Sequence, residues 1–228
     1  VIIDHFDGDW AKVYIPSQRD DSDSRGYPGW VPSKLLSDQQ ISYPPVTSFV
    51  RIAVRTANLY DENKKPVLEI SLGTVLPQTG TSGDYMSVVT PLGKGFIDKS
   101  AAVLPFVGSN AGETMVEMGR QFLGERYLWG GTSSYGFDCS GFAYTLHRVL
   151  GFDIPRDADD QQENGLPLAP EEILPGDLVF FAYDHGKGYV HHVGMYIGNG
   201  KMIESRTPGA KVDIAELTEP KFAAEFAG

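Results

Sequence analysis

The sequence predicts an α+β chain, with two small β-barrels in tandem ahead of a domain of helices and antiparallel strands. Three observations carry this expectation. A segment repeats: GDWAKVYIP (Gly8 to Pro16) matches GDYMSVVTP (Gly83 to Pro91), and GWVPSKLL (Gly29 to Leu36) matches GFIDKSAAV (Gly95 to Val103). From about Gly112 the hydrophobic period changes from two to a helical spacing. The one cysteine, Cys139, then opens a second helix-like stretch with strand-like runs downstream.

Each copy of the repeat reads as Gly-Asp-aromatic, an alternating strand, a turn, then Gly-aromatic-aliphatic and a short strand or 3₁₀ turn, the pattern of a small barrel. Between the copies ISYPPVTS reads as a linker, because Pro44 and Pro45 cannot sit in a central strand. The second copy is preceded by Val50 to Leu76, which has no counterpart in the first. Val1-Ile2-Ile3 aligns with Val75-Leu76-Pro77, so the first barrel is expected to be incomplete at its N-terminus. GETMVEMGRQFLGERY places Met115, Met118, Phe122 and Leu123 at helical spacing before Gly124. In DCSGFAYTLHRVLG, Asp138 is a suitable N-cap, Gly151 a stop, and Cys139, Phe142, Ala143, Leu146, Val149 and Leu150 form the apolar stripe. GDLVFFAY, HHVGMYIG and KMIES follow as strands.

Composition narrows the function. With 228 residues, 41% apolar and 21% charged, the chain is of globular type. A net charge of −11 argues against a nucleic-acid partner or an anionic surface, which call for a basic face. A single cysteine excludes an intrachain disulfide, and no 18-residue apolar run suggests a membrane span. The chain starts at Val1 rather than Met, so its lack of a leader carries no weight. A monomer is the favoured state.

Chemistry concentrates at Cys139. The first turn of a helix offers unpaired N–H groups and a dipole that favour a thiolate, and Ser140 and Gly141 are small enough to let a substrate backbone approach. The base must come from elsewhere. His5 falls in a barrel loop, His185 in a Gly-rich loop, and His147 on the Cys139 helix, more than ~10 Å away at about 1.5 Å per residue. His191 and His192 share a strand, so only one can face the thiol. Tyr127 and Trp129 read as core residues.

Four stretches carry a specific resemblance: YLWGGTSSYGFDCSGF, IPRDADDQ, PGDLVFF and HHVGMYIGNGKMIES. Over residues 112 to 213 the chain resembles the NlpC-type cell-wall cysteine peptidases, compact papain-like enzymes, and the barrels resemble bacterial SH3-like domains. The expected organisation is residues 1–40 as the C-terminal part of a first SH3-like domain, 46–105 as a second, and 111–228 as the peptidase domain. The whole is similar to the subgroup that cuts γ-D-glutamyl–diamino acid bonds in murein peptides. That resemblance implies His192 as the base, with His191 turned away at the surface or strand edge. It implies an orienting group at Glu204, where the family usually has His or a neutral polar residue. It also implies a pocket for the free α-amine of a substrate, built from Tyr27, Ser140 and Asp157. The implied partner is a murein peptide starting with L-Ala, without metal or cofactor, and the implied location is the cell envelope, with the cytoplasm left open.

Strand geometry leaves Glu204 undecided. A strict two-residue Asn199-Gly200 turn pairs Tyr196 with Ile203 and puts Glu204 on the face opposite His192; a three-residue Gly198-Asn199-Gly200 loop pairs Gly194 with Glu204, on the His192 face. The competing readings are a non-catalytic wall-binding protein, a hydrolase of intact peptidoglycan, a papain-like acyltransferase, and a zinc site from His185, His191 and His192 with Asp184 or Cys139. The last is disfavoured because adjacent histidines on a strand diverge.

Overall fold

A computed structural model describes residues 1–37, 46, 48–103 and 110–228. The greater part of the ISYPPVTS segment and the expected domain limits at 40 and 105 lie outside the described residues. The first unit is an antiparallel meander of β1 (Ile2–Asp7), β2 (Trp10–Ile15) and β3 (Tyr27–Pro32), followed by a 3₁₀ turn at Ser33–Leu35. In β2 the alternation holds from Trp10 to Val13: Ala11 and Val13 are buried while Lys12 points outward to the Trp30 ring; Tyr14, next in line, is buried as well.

The second unit runs through β4 (Ser48–Ile52), β5 (Thr56–Tyr60), β6 (Pro66–Ser71), β7 (Val75–Ser82), β8 (Tyr85–Thr90) and β9 (Gly93–Asp98), then a 3₁₀ turn at Lys99–Ala101 and β10 (Ala102–Val103). Its seven strands lie in the order β10-β4-β7-β8-β9-β5-β6. Val50, Ile52, Leu59, Ile70, Val88 and Ile97 share one core although they come from strands at both ends of that order, so the sheet rolls round it. The repeat now has a physical basis. Gly8 and Gly83 stand at positive φ (54° and 55°) as the first residue of two-residue turns closed by Asp7 with Trp10 and Ser82 with Tyr85. A type II′ hairpin needs glycine at that place. β1 to β3 therefore correspond to β7 to β9.

The third unit contains α1 (Ala111–Arg120), the short hairpin β11 (Thr132–Ser133) and β12 (Gly136–Phe137), α2 (Cys139–Leu150), α3 (Ala158–Asn164) and β13 (Leu178–Ala182). A turn α4 (Tyr183–Gly186) follows, left-handed at Asp184 and His185 (φ 53° and 57°). Then come β14 (Val190–Gly198), β15 (Lys201–Ser205), β16 (Val212–Glu216) and α5 (Pro220–Glu225). The four long strands form an antiparallel sheet in chain order. α1 and α2 pack on it through Met115, Met118, Phe122, Phe142, Leu146, Met195 and Ile203. Leu123, expected in the α1 stripe, is 44% exposed, because the helix ends at Arg120 and Gly124 turns the chain at φ 88°. Among the described residues no helix is long and apolar enough to cross a membrane.

Both β units are docked on the third. Leu72 of the second enters the α1–α2 core, and Ser134 bonds to Ser71 and to the backbone of Leu72 and Arg55. The first reaches α2 and α3 through the segment before β3: the Arg156 N–H donates to the Arg19 carbonyl (2.9 Å), and the Arg148 guanidinium to the Ser17 carbonyl (3.2 Å).

Phe122 has no exposed surface and meets Phe137 and Phe142 edge to face, at 5.0 and 6.3 Å between ring centroids. Phe122→Ala should lower the unfolding free energy by about 3–5 kcal/mol. Leu123→Ala should stay within about 0.5 kcal/mol. Urea titrations of the two variants check this contrast.

Candidate active site

The start of α2 is fixed by one carboxylate. Asp138, in extended conformation, accepts a hydrogen bond from the Gly141 N–H (2.6 Å) through one oxygen; its other oxygen accepts from the Gly130 N–H (2.9 Å) and the Arg156 guanidinium (2.6 Å). This N-cap puts Cys139 at the first helical position, half-buried, with no intrahelical acceptor for its own N–H. Gly141 serves a purpose other than admitting substrate: a Cβ there would stand 2.1 Å from the Gly131 carbonyl oxygen, so glycine lets the preceding loop cross the helix start.

His192 arrives from β14 and is 4% exposed. Its ring lies between Phe181 on the neighbouring β13 and Phe222 of α5, at 5.6 and 6.1 Å between centroids. Nε2 is bonded to a carboxylate oxygen of Glu204, which is 0% exposed. With Nε2 bonded to Glu204 and Nδ1 buried without a hydrogen-bond partner among the described residues, Nδ1 is the nitrogen left for the Cys139 thiol. Burial alone would lower the His192 pKa; hydrogen bonding to Cys139 and Glu204 and their charges outweigh it, and the imidazole is pushed up to about 9. A histidine so placed keeps its proton at neutral pH.

The register question has a third answer. Asn199 and Gly200 form a two-residue turn, both at positive φ (56° and 71°) as a type I′ hairpin requires. Yet the pairing is Met195 with Ile203 and Tyr196 with Met202, then Gly198 with Lys201. Ile197 is the extra residue of a β-bulge, which restores the register of the longer loop and turns Glu204 onto the His192 face. A second bulge sits at His191, where Phe181 pairs with His192 but Ala182 pairs with Val190. Strict alternation therefore fails there. His191 is half-buried: its ring stacks on Tyr183 (4.2 Å) and stands 3.4 Å from the Glu225 carboxylate.

Of the other expected residues, Asp157 occupies the N-cap position of α3 without capping it; its carboxylate instead accepts from the Tyr27 hydroxyl (3.0 Å), across the boundary with the first β unit. Burial raises the pKa of Asp157, against the opposing effects of Tyr27 and Arg156, and burial with the Asp157 charge pushes Tyr27 up to about 12. Ser140 is buried and accepts from Arg156 (2.9 Å), which also lies 3.7 Å from Asp157. Arg156 thus ties the Asp157 carboxylate to Ser140, the neighbour of Cys139. Tyr127 is half-buried, and burial together with the nearby Cys139 pushes it up to about 12. Trp129, expected in the core, is 82% exposed on the loop before β11. His147 donates from Nδ1 to the Ala143 carbonyl (2.8 Å) within α2. Among the described residues no three His, Cys, Asp or Glu side chains are grouped to hold a metal ion.

Two arginines escape the sequence reading. Arg156 stands inside the quoted IPRDADDQ, but nothing local says that it turns inward. Arg206 follows Glu204 by two residues, a spacing that shares a strand face, and both its Nε and a terminal nitrogen lie 2.7 Å from Glu204 Oε1.

Residues 124–228 match the NlpC/P60 family, and residues 52–104 match the YKFC SH3b2 domain. The γ-D-glutamyl-L-lysine dipeptidyl-peptidase of Bacillus subtilis (strain 168) is 40% identical over 227 residues, which cover 99% of this chain and 76% of that protein. The Bacillus cereus protein of the same name is 39% identical over 229 residues, covering 97% and 69%. The crystal structure of an NlpC/P60 family protein from Bacillus cereus ATCC 10987 superposes with a TM-score of 0.87 at 38% identity, covering 99% of this chain and 77% of that one.

Deleting Ile197 should remove the bulge, return the hairpin to strict alternation and rotate Glu204 away from His192. The rate at which a maleimide modifies Cys139 at pH 6 should then fall roughly tenfold or more as the thiolate fraction drops, with the circular dichroism spectrum retained. An unchanged rate would mean that Glu204 plays no part in activating the thiol.

Proposed function

The chain belongs to the NlpC/P60 family, and on that footing we propose that it is a cysteine endopeptidase of murein stem peptides with a free N-terminal L-Ala, cleaving the γ-D-glutamyl–diamino acid bond and releasing L-Ala-D-Glu. The observation that carries the reading is the joint presence of a Cys139–His192–Glu204 array and a carboxylate, Asp157, bridged to the same helix start by Arg156 and covered by Tyr27.

In this reading the Cys139 thiolate attacks the γ-carbonyl carbon of D-Glu, and the carbonyl electrons move to oxygen. The N–H of Cys139, at the positive end of α2, is the candidate donor to that oxyanion. The tetrahedral species collapses as the His192 imidazolium passes its proton to the departing α-amine of the diamino acid, leaving a thioester on Cys139. His192, now neutral, takes a proton from water, whose oxygen attacks the thioester. L-Ala-D-Glu leaves, and the thiolate–imidazolium pair is restored. Glu204 keeps the ring turned so that Nδ1 serves both transfers.

Asp157 supplies selectivity for the amino end. Held partly desolvated, it is stabilised by an incoming ammonium and by nothing an acetylated peptide offers. The first β unit contributes Tyr27 to this wall, so in the proposal it is part of the substrate pocket rather than only a tether. A wall-derived substrate fits a location in the cell envelope, periplasmic or secreted.

Mass spectrometry of digests tests the proposal. The free tripeptide L-Ala-γ-D-Glu-L-Lys should yield L-Ala-D-Glu, and Cys139→Ala should yield none. N-acetylation of the substrate should cost on the order of 2–5 kcal/mol in kcat/KM, the usual loss on removing one partner of a desolvated charge pair. Equal cleavage of free and acetylated peptides, or efficient digestion of intact sacculi, would refute the closed amine pocket.

A further inference from the structure

We propose that Arg206 is a positioning residue for the chemistry at Cys139, holding one oxygen of the buried Glu204 carboxylate so that the other stays ionised and aimed at His192. The inference rests on the cysteine-peptidase reading and adds to it a residue just beyond β15.

Glu204 has no exposed surface, and burial favours the neutral acid. Other acidic groups add to that pressure. Asp213 on β16 is the register partner of Glu204, and Glu219, just before α5, lies 3.6 Å from Arg206. On the far side stand Cys139 at the head of α2 and, beyond the bulge, His191 with Glu225. Without Arg206, the carboxylates Glu204, Asp213 and Glu219 would share a region whose balancing cation is His192 itself. A protonated Glu204 could then no longer act as the anion that favours imidazolium.

Arg206 is itself held in place. Its guanidinium lies over the Phe222 ring (4.6 Å), and that ring stacks on His192 with 23° between planes. One aromatic side chain of α5 therefore spaces the imidazole and the guanidinium on either side of Glu204. Two nitrogens on Oε1, a ring nitrogen on the other oxygen and a shared aromatic wall leave the carboxylate one orientation. A lone surface ion pair would not need these supports.

The pH dependence of Cys139 alkylation by iodoacetamide, measured on the full chain, reads this arrangement without any peptide substrate. With Arg206→Met, the Glu204 carboxylate loses the guanidinium that holds its Oε1 and favours the imidazolium less, so the reactive thiolate forms only at higher pH. The acid limb should rise by about one unit and the rate at pH 6 fall roughly tenfold. Arg206→Lys should keep most of the wild-type profile. The double variant Glu204→Gln/Arg206→Met should react no more slowly than the slower single variant, because Arg206 acts only through the Glu204 carboxylate. If Arg206→Met does not fold while the double variant does, the dependence of Arg206 on Glu204 is shown by stability instead. A wild-type limb in Arg206→Met, whatever its melting temperature, would reduce Arg206 to a structural residue and overturn the proposal. So would a double variant with the product of the two single losses. A wild type that alkylates as expected but leaves the tripeptide intact would refute the proposed substrate and not the role of Arg206.

Discussion

Glu204 is sealed from solvent, and a carboxylate in such a place is tolerable only when donors and cations meet each of its oxygens. His192 meets one and Arg206 the other. Much of the site follows from that requirement. The β14–β15 hairpin must carry its bulge at Ile197 for Glu204 to face His192 at all. α5 must pack across the sheet so that Phe222 can wall off both cationic groups. The imidazole, flanked by a carboxylate and a thiol, holds its proton to about pH 9 in spite of burial.

A carboxylate at position 204, where the family resemblance implies a His or a neutral polar residue, is therefore not a single change in physical terms. A neutral orienter fixes a ring and adds no charge. A carboxylate fixes the ring and also favours imidazolium, but needs compensation where water cannot supply it. Arg206 provides that compensation, and the Glu204–Arg206 pair is neutral as a unit. The helix start at Cys139 follows the same rule: Asp138 caps α2 and is balanced by the buried Arg156. A buried acid paired with an arginine stands behind Cys139, and another behind His192.

The two kinds of information in the sequence were unequally legible. Elements came through well where pattern and chemistry are local. The Gly-Asp repeat marked hairpin turns because only glycine tolerates positive φ there without strain, and Asp138 and Gly151 bracketed α2 because a cap acts within one turn of its helix. Facing was harder. His191 and His192 do not obey simple alternation, and Glu204 reached the His192 face by a route that neither expected loop length describes, because a bulge leaves no mark as plain as an Asn-Gly turn. Trp129 was expected in the core on hydrophobicity alone, yet it stands on a loop whose path is set by the close approach of Gly131 to Gly141. Arg156 and Arg206 were passed over for a shared reason: an arginine's burial depends on acids brought near by tertiary structure.

The first β unit acts at long range through a few contacts, with Tyr27 carried some 130 positions in sequence to Asp157. From Asp157 the contacts run through Arg156 to Ser140 and Asp138, at the helix start that carries Cys139. The most direct measurement of the Cys139–His192 pair is the titration of the His192 ring nitrogens by ¹⁵N NMR in the wild type and in Glu204→Gln. Both nitrogens should carry protons at pH 7, with a midpoint near 9 in the wild type and a lower one in Glu204→Gln. A neutral His192 ring at pH 7, or a midpoint that ignores the substitution, would contradict the buried carboxylate as the element that sets this site.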